Sequence, residues 1–516
     1  MKRYIFLILL FLTGAGIVDS GYLTWEHYSG VIPPCTINHF LPIVFDCGKV
    51  LKSSYSLLFG VPLALLGFIH YTILSFVIAL AIITNRKLFW FWTLIEATFG
   101  FLASIYFMYL QLIVIKSLCY YCTMSALISF ILFILAFFWL EKERKTVFIY
   151  SIGLLYRLIL KPIFFLINPE VVHEVMVSRG EFMGKTPLKN LFSFFLNYNS
   201  SMLQQKVANI DFDSPIGLSA GFDYEAKLTQ ILPQMGFGFE SVGTVTNMAY
   251  EGNPRPRLGR LPKSRSLMVN KGFKSIGAKG IIKKLEPFHF SFPVGISIGR
   301  TNGIKDMTQK QSVEDVITSF TLFEKSKVKH SYYELNISCP NLYGNISFYP
   351  KENLHELLTE VEKLKIKRPI FIKMPINNSD KEILEMLETI TKFSIKGVIF
   401  GNLQKDRKDP SLYPDEVKKF QVGNFSGKPC EERSNELIAL AYKKYGKKLV
   451  IIGCGGVFSA RDAYKKIKLG ASLVELITGM IYQGPQLISQ INLELEDMLK
   501  QDGYKNIADA IGVENV

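Results

Sequence analysis

Leu449-Val-Ile-Ile-Gly-Cys-Gly-Gly456 and Ser472-Leu-Val-Glu-Leu-Ile-Thr478 are short apolar runs that end in glycine or a small polar residue. Six earlier runs of the same kind cover 214–221, 239–246, 294–299, 332–338, 370–375 and 397–402, with helix-like segments between them. Eight β-rich runs alternating with helical stretches predict a closed (β/α)8 barrel. The residues at the run ends then define its reactive rim: Ala220-Gly221, Thr244, Ser297, Asn336, Lys373, Asn402, Gly455-Gly456 and Thr478. Backbone N–H groups at the seventh and eighth ends suit a phosphate.

Upstream the chain changes character. Ten of the 59 Lys/Arg and six of the 44 Asp/Glu fall in residues 1–145, although that stretch is more than a quarter of the 516 residues. Apolar segments at about 4–20, 57–83, 88–115 and 118–140 predict four membrane spans, the last three clearly long enough to cross ~30 Å of hydrocarbon. A cleaved signal peptide is the alternative for the first. Basic flanks at Lys2-Arg3, Asn85-Arg86-Lys87 and 141–145 share one side only if all four cross, which puts both termini in the cytoplasm and the loop 21–56 outside. The predicted architecture is multidomain: an all-α four-helix transmembrane bundle (1–145), a membrane-associating helical extension (146–207) and an α/β TIM barrel (208–516). The net charge of +15 fits docking on an anionic lipid bilayer better than nucleic acid, since it lacks an Arg-rich run.

Cys35, Cys47, Cys119 and Cys122 all map to the outer face, where disulfide chemistry is permitted. Cys119-Tyr-Tyr-Cys122 opens the last span, and two thiols one helical turn apart can close a redox ring. A zinc site from these four cysteines and a purely structural disulfide remain alternatives, the former disfavoured by poor metal access; no metal is expected. Glu96 inside the third span is costly enough to imply function or a hydrogen bond; His70 receives no role.

The four spans, the loop pair Cys35 and Cys47, Ser53 six residues after Cys47, Gly60-Val-Pro62 and Cys119-x-x-Cys122 resemble the vitamin K epoxide reductase family over about residues 1–140. The resemblance implies that Cys35/Cys47 shuttle electrons, that Cys119/Cys122 react with a membrane quinone, and that Ser53 hydrogen-bonds it. It also implies an extracytoplasmic thioredoxin-fold thiol oxidase as partner.

In the barrel, Cys339 stands at the mouth of the fourth run and can act as a base if its site favours the thiolate. The amides of Asn270, Asn336, Asn341 and Asn402 can orient a planar ring. Asn168-Pro-Glu-x-x-His173, Gly217-Leu-Ser-Ala-Gly-Phe-Asp223, Asn270-x-Gly-Phe273, Asn336-Ile-Ser-Cys-Pro-Asn341, Ser426-Gly-x-Pro429 and Ile452-Gly-x-Gly-Gly456 together resemble dihydroorotate dehydrogenase of the membrane-associated, quinone-using class. That resemblance implies FMN held by Ala220, Gly221, Thr244, Asn336, Lys373, Gly427, Gly455, Gly456 and Thr478. It implies dihydroorotate held by the four asparagines, Cys339 as base and quinone as acceptor. Departures are Cys339 where this class has serine, Ser297 for an asparagine, Gly401 and Leu403 around Asn402, and Tyr224 for the substrate lysine, with Lys227 as the expected substitute. A membrane-anchored dihydropyrimidine-type flavin oxidoreductase is the alternative. The expected location is a bacterial inner membrane, barrel inside and redox cysteines outside.

Overall fold

The computed structural model describes residues 2–31, 33, 35, 39–40, 43–84, 86–304, 307–344 and 347–515; Asn85 of the expected basic flank lies outside them. Residues 1–147 and 148–516 form two compact units.

The first unit is built from four long helices: α1 (Lys2–Ser29), α2 (Leu63–Thr84), α3 (Lys87–Tyr109) and α4 (Tyr120–Trp139). At 1.5 Å per residue the 22 residues of α2 span ~33 Å, a bilayer's hydrocarbon thickness. Leu9 of α1, Tyr71, Leu74 and Ile78 of α2, and Ile128 and Leu132 of α4 bury one another. Gly16 makes this close approach possible, since a Cβ there would stand 2.7 Å from the Tyr71 ring. Phe11, Phe76, Ile83 and Phe99 are apolar and exposed, the opposite of a soluble surface and what lipid requires.

The expected first segment, 4–20, is too short. Helix α1 continues to Ser29, so residues 21–29 are helical rather than part of an outer loop. Asp19 and Glu26 lowered the apparent hydropathy without ending the helix: Ser20 and Thr24 satisfy their hydroxyls on the carbonyls one turn earlier, at 2.5 and 2.7 Å. Among the described residues five helices, not four, are long and apolar enough to cross a membrane, the fifth covering Glu141–Leu166. Its residues from Phe148 onward belong to the second unit, within which Tyr150 donates to Glu494 at 2.7 Å and Tyr156 to the Ile481 carbonyl at 2.7 Å. Ile149 is buried among Leu196, Tyr198 and Leu493.

In the second unit the eight predicted runs are eight parallel strands: β1 (Ile216–Leu218), β2 (Phe239–Val245), β3 (Val294–Ile298), β4 (Tyr332–Asn336), β5 (Ile370–Met374), β6 (Gly397–Phe400), β7 (Val450–Cys454) and β8 (Leu473–Leu476). They close into a barrel in sequential order, β8 pairing with β1. Ser379 caps the helix after β5 and Thr308 the helix after β3, each in a reciprocal capping box. A hairpin, Gln205–Val207 with Ile210–Phe212, carries Val207 and Phe212 into a cluster with Phe239, Tyr332, Phe371, Ile399, Ile452 and Leu473 and so stoppers the lower end. The expected boundary at 207/208 falls inside this hairpin. At the upper end, Leu258–Leu261, Ser266–Val269 and Asn424–Gly427 form an antiparallel cap sheet.

Space at the barrel base is fully used. A Cβ on Gly238 would lie 1.9 Å from the Ser214 carbonyl oxygen, a backbone atom that cannot step aside. Gly238→Ala is expected to cost about 1–3 kcal/mol, read as a lower midpoint for thermal unfolding of the barrel in detergent.

Candidate active sites

A polar chain crosses the barrel interior. Asn336 Nδ2 donates to Thr244 Oγ1 at 2.8 Å, and Thr244 and Ser297 share a hydrogen bond of 2.9 Å. Ser297 Oγ gives its proton to Glu334 at 2.8 Å, so the Thr244 hydroxyl is the donor to Ser297. Lys373 Nζ donates to Ser219 Oγ at 2.7 Å and lies 3.5 Å from Glu334 and 3.7 Å from Glu475. Burial alone would lower the Lys373 pKa, but the Glu334 and Glu475 carboxylates overcome it and hold the ammonium above the ordinary lysine range. Burial also pushes Glu475 up to about 7 against the pull of Lys373. The site floor is therefore a fixed positive charge held by carboxylates that have no water to turn to.

Above this floor a cavity of about 150 Å³ is lined by Ala220, Gly221, Thr244, Asn336, Lys373 and Thr478, together with Cys339, Asn341 and Asn402. Six of the nine residues expected to hold a cofactor and three of the four asparagines thus share one wall. Gly221 has φ +109°, and a Cβ there would meet only Ile477 at 3.8 Å, leaving its cavity side open. Gly427, Gly455 and Gly456 do not line the cavity: Gly427 adjoins the lining residues Ser426 and Thr478, and Gly455 and Gly456 pack against Cys430 and Glu431. All three have positive φ, and a Cβ on Gly427 would be 2.8 Å from Thr478. Among the described residues, the Gly455 and Gly456 N–H groups donate to no backbone carbonyl, as a phosphate cradle requires. An open glycine, a fixed ammonium and free N–H groups fit the planar ring and phosphate of FMN.

Two expected site residues lie elsewhere. Asn270 is spent on structure: its Oδ1 accepts from Asn253 at 3.0 Å and its Nδ2 faces the Pro254 and Pro256 carbonyls. Lys227 is turned away because Asp223 accepts from the Lys227 and Leu228 N–H groups, closing a turn that leaves the ammonium on Glu225 at 2.7 Å. The residue that sequence reasoning missed is Lys271, which lines the cavity. Asn253 and Asn424 also escaped it; they fix the cap by donating to the Asn341 carbonyl at 2.9 Å and to Asn341 Oδ1 at 2.7 Å. The only local sign of Lys271 was its place between Asn270 and Gly272.

In the first unit a disulfide joins Cys35 to Cys47, while Cys119 and Cys122 are thiols. All four pack in one cluster with Val50, Ile115 and Tyr121. The contact is held by backbone: Asp46 N–H donates to the Leu118 carbonyl at 2.9 Å, placing Cys47 beside Cys119. Gln111, also missed, accepts the Cys119 N–H at 2.9 Å. Cys122 and Ser53 line one apolar cavity of about 260 Å³, as do Asp19 and His70. Glu96 bonds His70 Nδ1 at 3.1 Å, so these two ionisable groups inside the spans satisfy each other.

Residues 202–499 match the family model for dihydroorotate dehydrogenase. The chain belongs to the dihydroorotate dehydrogenase family. Residues 7–137 match the vitamin K epoxide reductase family, so a second family is fused ahead of the dehydrogenase barrel. A protein of Trichodesmium erythraeum named dihydroorotate dehydrogenase (quinone) is 31% identical over 384 residues, covering 70% of this chain and 99% of its own length. One of Corynebacterium glutamicum with the same name is 31% identical over 72% of this chain and 97% of its own. Among solved structures, the ferulenol complex of the Eimeria tenella enzyme superposes with TM-score 0.59 at 26% identity, over 67% of this chain and 96% of that one.

Burial pushes the Cys339 thiol up to about 11, while the Asn341 N–H and the Arg300, Lys405 and Lys373 cations pull the other way. A thiol serves as a base only as its thiolate, whose fraction climbs about tenfold per pH unit below that value. Substrate-driven reduction of bound flavin, followed by stopped-flow absorbance, is expected to rise across pH 7–10, and Cys339→Ala to abolish the rise.

Proposed function

We propose that this chain is a bifunctional oxidoreductase of a bacterial inner membrane. Its barrel oxidises dihydroorotate to orotate with quinone as acceptor, and its membrane domain exchanges thiols and disulfides with the same quinone pool. The observation that carries the first half is the single cavity in which Cys339, Asn341 and Asn402 face Ala220, Gly221, Thr244, Asn336, Lys373 and Thr478. The names of the quinone-type relatives support the acceptor.

FMN, when bound, would supply hydride-accepting chemistry toward the substrate ring and two-electron transfer to quinone. The protein does the rest. Gly427, Gly455, Gly456 and Thr478 hold the phosphate end, and Lys373 places positive charge under the ring. Asn336, Asn341 and Asn402 orient the dihydropyrimidine, and the Cys339 thiolate removes its ring proton. One proton to sulfur and one hydride to the flavin account for the two hydrogens lost.

In the membrane half the Cys35–Cys47 disulfide accepts two electrons from the dithiol of an extracytoplasmic thioredoxin-fold partner. Exchange passes them to Cys119 and Cys122, and re-forming that second disulfide gives two electrons and two protons to quinone. The cavity shared by Cys122 and Ser53 supports this reading. The basic flanks support a cytoplasmic barrel and outward-facing cysteines.

Anaerobic addition of dihydroorotate to the detergent-purified chain is expected to bleach the flavin band, and a soluble quinone to restore it. A band that dihydroorotate leaves untouched sinks the dehydrogenase reading. Cys119→Ala is expected to abolish quinone-dependent thiol oxidation and to leave flavin bleaching intact.

A further inference from the structure

Tyr224 stands where the resemblance places a substrate lysine, and no cation on its own loop reaches the cavity. A different loop supplies one. Lys271, directly after the cap strand Ser266–Val269 and Asn270, brings its Nζ to 3.0 Å from Tyr224 Oη and 3.2 Å from Glu170 Oε1. The direction of each bond follows from its neighbour. His173 Nε2 lies 2.9 Å from the Phe222 carbonyl and must donate to it, so Nδ1 carries the lone pair and accepts from Tyr224 Oη at 3.1 Å. The phenol oxygen is then left to accept from Lys271. Burial, with Lys271 adding to it, pushes His173 down to about 4, in keeping with a neutral ring.

An ammonium has three N–H groups. Two are committed to Tyr224 and Glu170; the third meets no hydrogen-bond acceptor among the described residues, and Lys271 lines the cavity that holds Cys339, Asn341 and Asn402. The other cations of that cavity are engaged: Lys373 between Glu334 and Glu475, and Lys274 3.6 Å from Glu174. Glu170 does not cancel the Lys271 charge, because Arg255 at 3.4 Å and Arg257 at 3.6 Å share the same carboxylate. Three cations against one carboxylate leave the rim attractive to an anion.

We propose that Lys271 binds the carboxylate of the substrate, with Glu170, Tyr224 and His173 positioning its ammonium. The assignment rests on dihydroorotate being the substrate, and makes this loop the part of the site that selects an anionic dihydropyrimidine over a neutral one. It also links the substrate's negative charge to the helical extension, through the Tyr224–His173 pair.

The test uses the full-length, flavin-loaded protein and its Lys271→Met, Lys227→Met and Lys271→Met/Tyr224→Lys variants. Orotate binding is read from the perturbation of the flavin spectrum, and dihydroorotate KM and kcat from steady-state turnover. Losing one charge-assisted hydrogen bond is expected to weaken orotate binding and raise KM about 10- to 100-fold in Lys271→Met. Flavin content and binding of the neutral orotate methyl ester should stay within about threefold of wild type, a selectivity that a merely structural defect would not give. Lys227→Met should match wild type, and the double variant should recover affinity by returning a lysine to position 224. Orotate affinity in Lys271→Met within twofold of wild type, or an equal loss in Lys227→Met, overturns the assignment while wild-type bleaching by dihydroorotate preserves the dehydrogenase reading. A wild-type flavin neither bleached by dihydroorotate nor perturbed by orotate overturns that reading itself.

Discussion

The ammonium of Lys373, sealed inside the barrel between Glu334 and Glu475, is the constraint on which the second unit depends. Through Ser219 it reaches the end of β1, through Glu334 and Ser297 it reaches β4 and β3, and through Glu475 it reaches β8. Removing the lysine would strand two carboxylates in an apolar interior, and removing either carboxylate would leave the lysine undercompensated; each is a loss of several kcal/mol in comparable buried pairs. The same arrangement fixes the charge under the reactive cavity without any movement at the moment of reaction. Stability of the barrel floor and preparation of the site are one set of contacts.

Much of this was legible in the sequence because it is written locally. Eight apolar runs with small or polar ends become eight strands, six of which bring their ends to one cavity, and the apolar stretches of the first 140 residues become helices. What escaped is set by contacts between distant segments. No periodicity tells that Lys227 is bent onto Glu225 by the Asp223 turn, or that Lys271 from a later loop occupies the place left by Tyr224. The motif offers Asn270 as a ligand, yet its amide oxygen is taken by Asn253 and the residue does not line the cavity. Asp19 and Glu26 look like a helix end in a hydropathy profile, whereas Asp19 lines the cavity of the bundle and α1 runs on past both.

The first unit solves a related problem with different chemistry. Four cysteines from an outer loop and a helix start meet because one backbone hydrogen bond, Asp46 to Leu118, sets the loop against the helix. Gln111 then orients the Cys119 backbone from the neighbouring helix. Spacing identified Cys119-x-x-Cys122; only the fold shows that the Cys35–Cys47 bridge rests against it. His70 and Glu96 pair by the same economy of contacts, each removing the other's need for water inside the spans.

The hairpin 205–212 has a consequence for traffic. With its Val207 and Phe212 side chains filling the lower end, the barrel is a cup and not a tube. Everything that arrives or departs passes the upper rim, where the cap sheet and the helix Pro169–Gly184 stand. Two reactants that both use this rim obstruct each other, so a reaction needing both at the cavity is expected to admit them in turn.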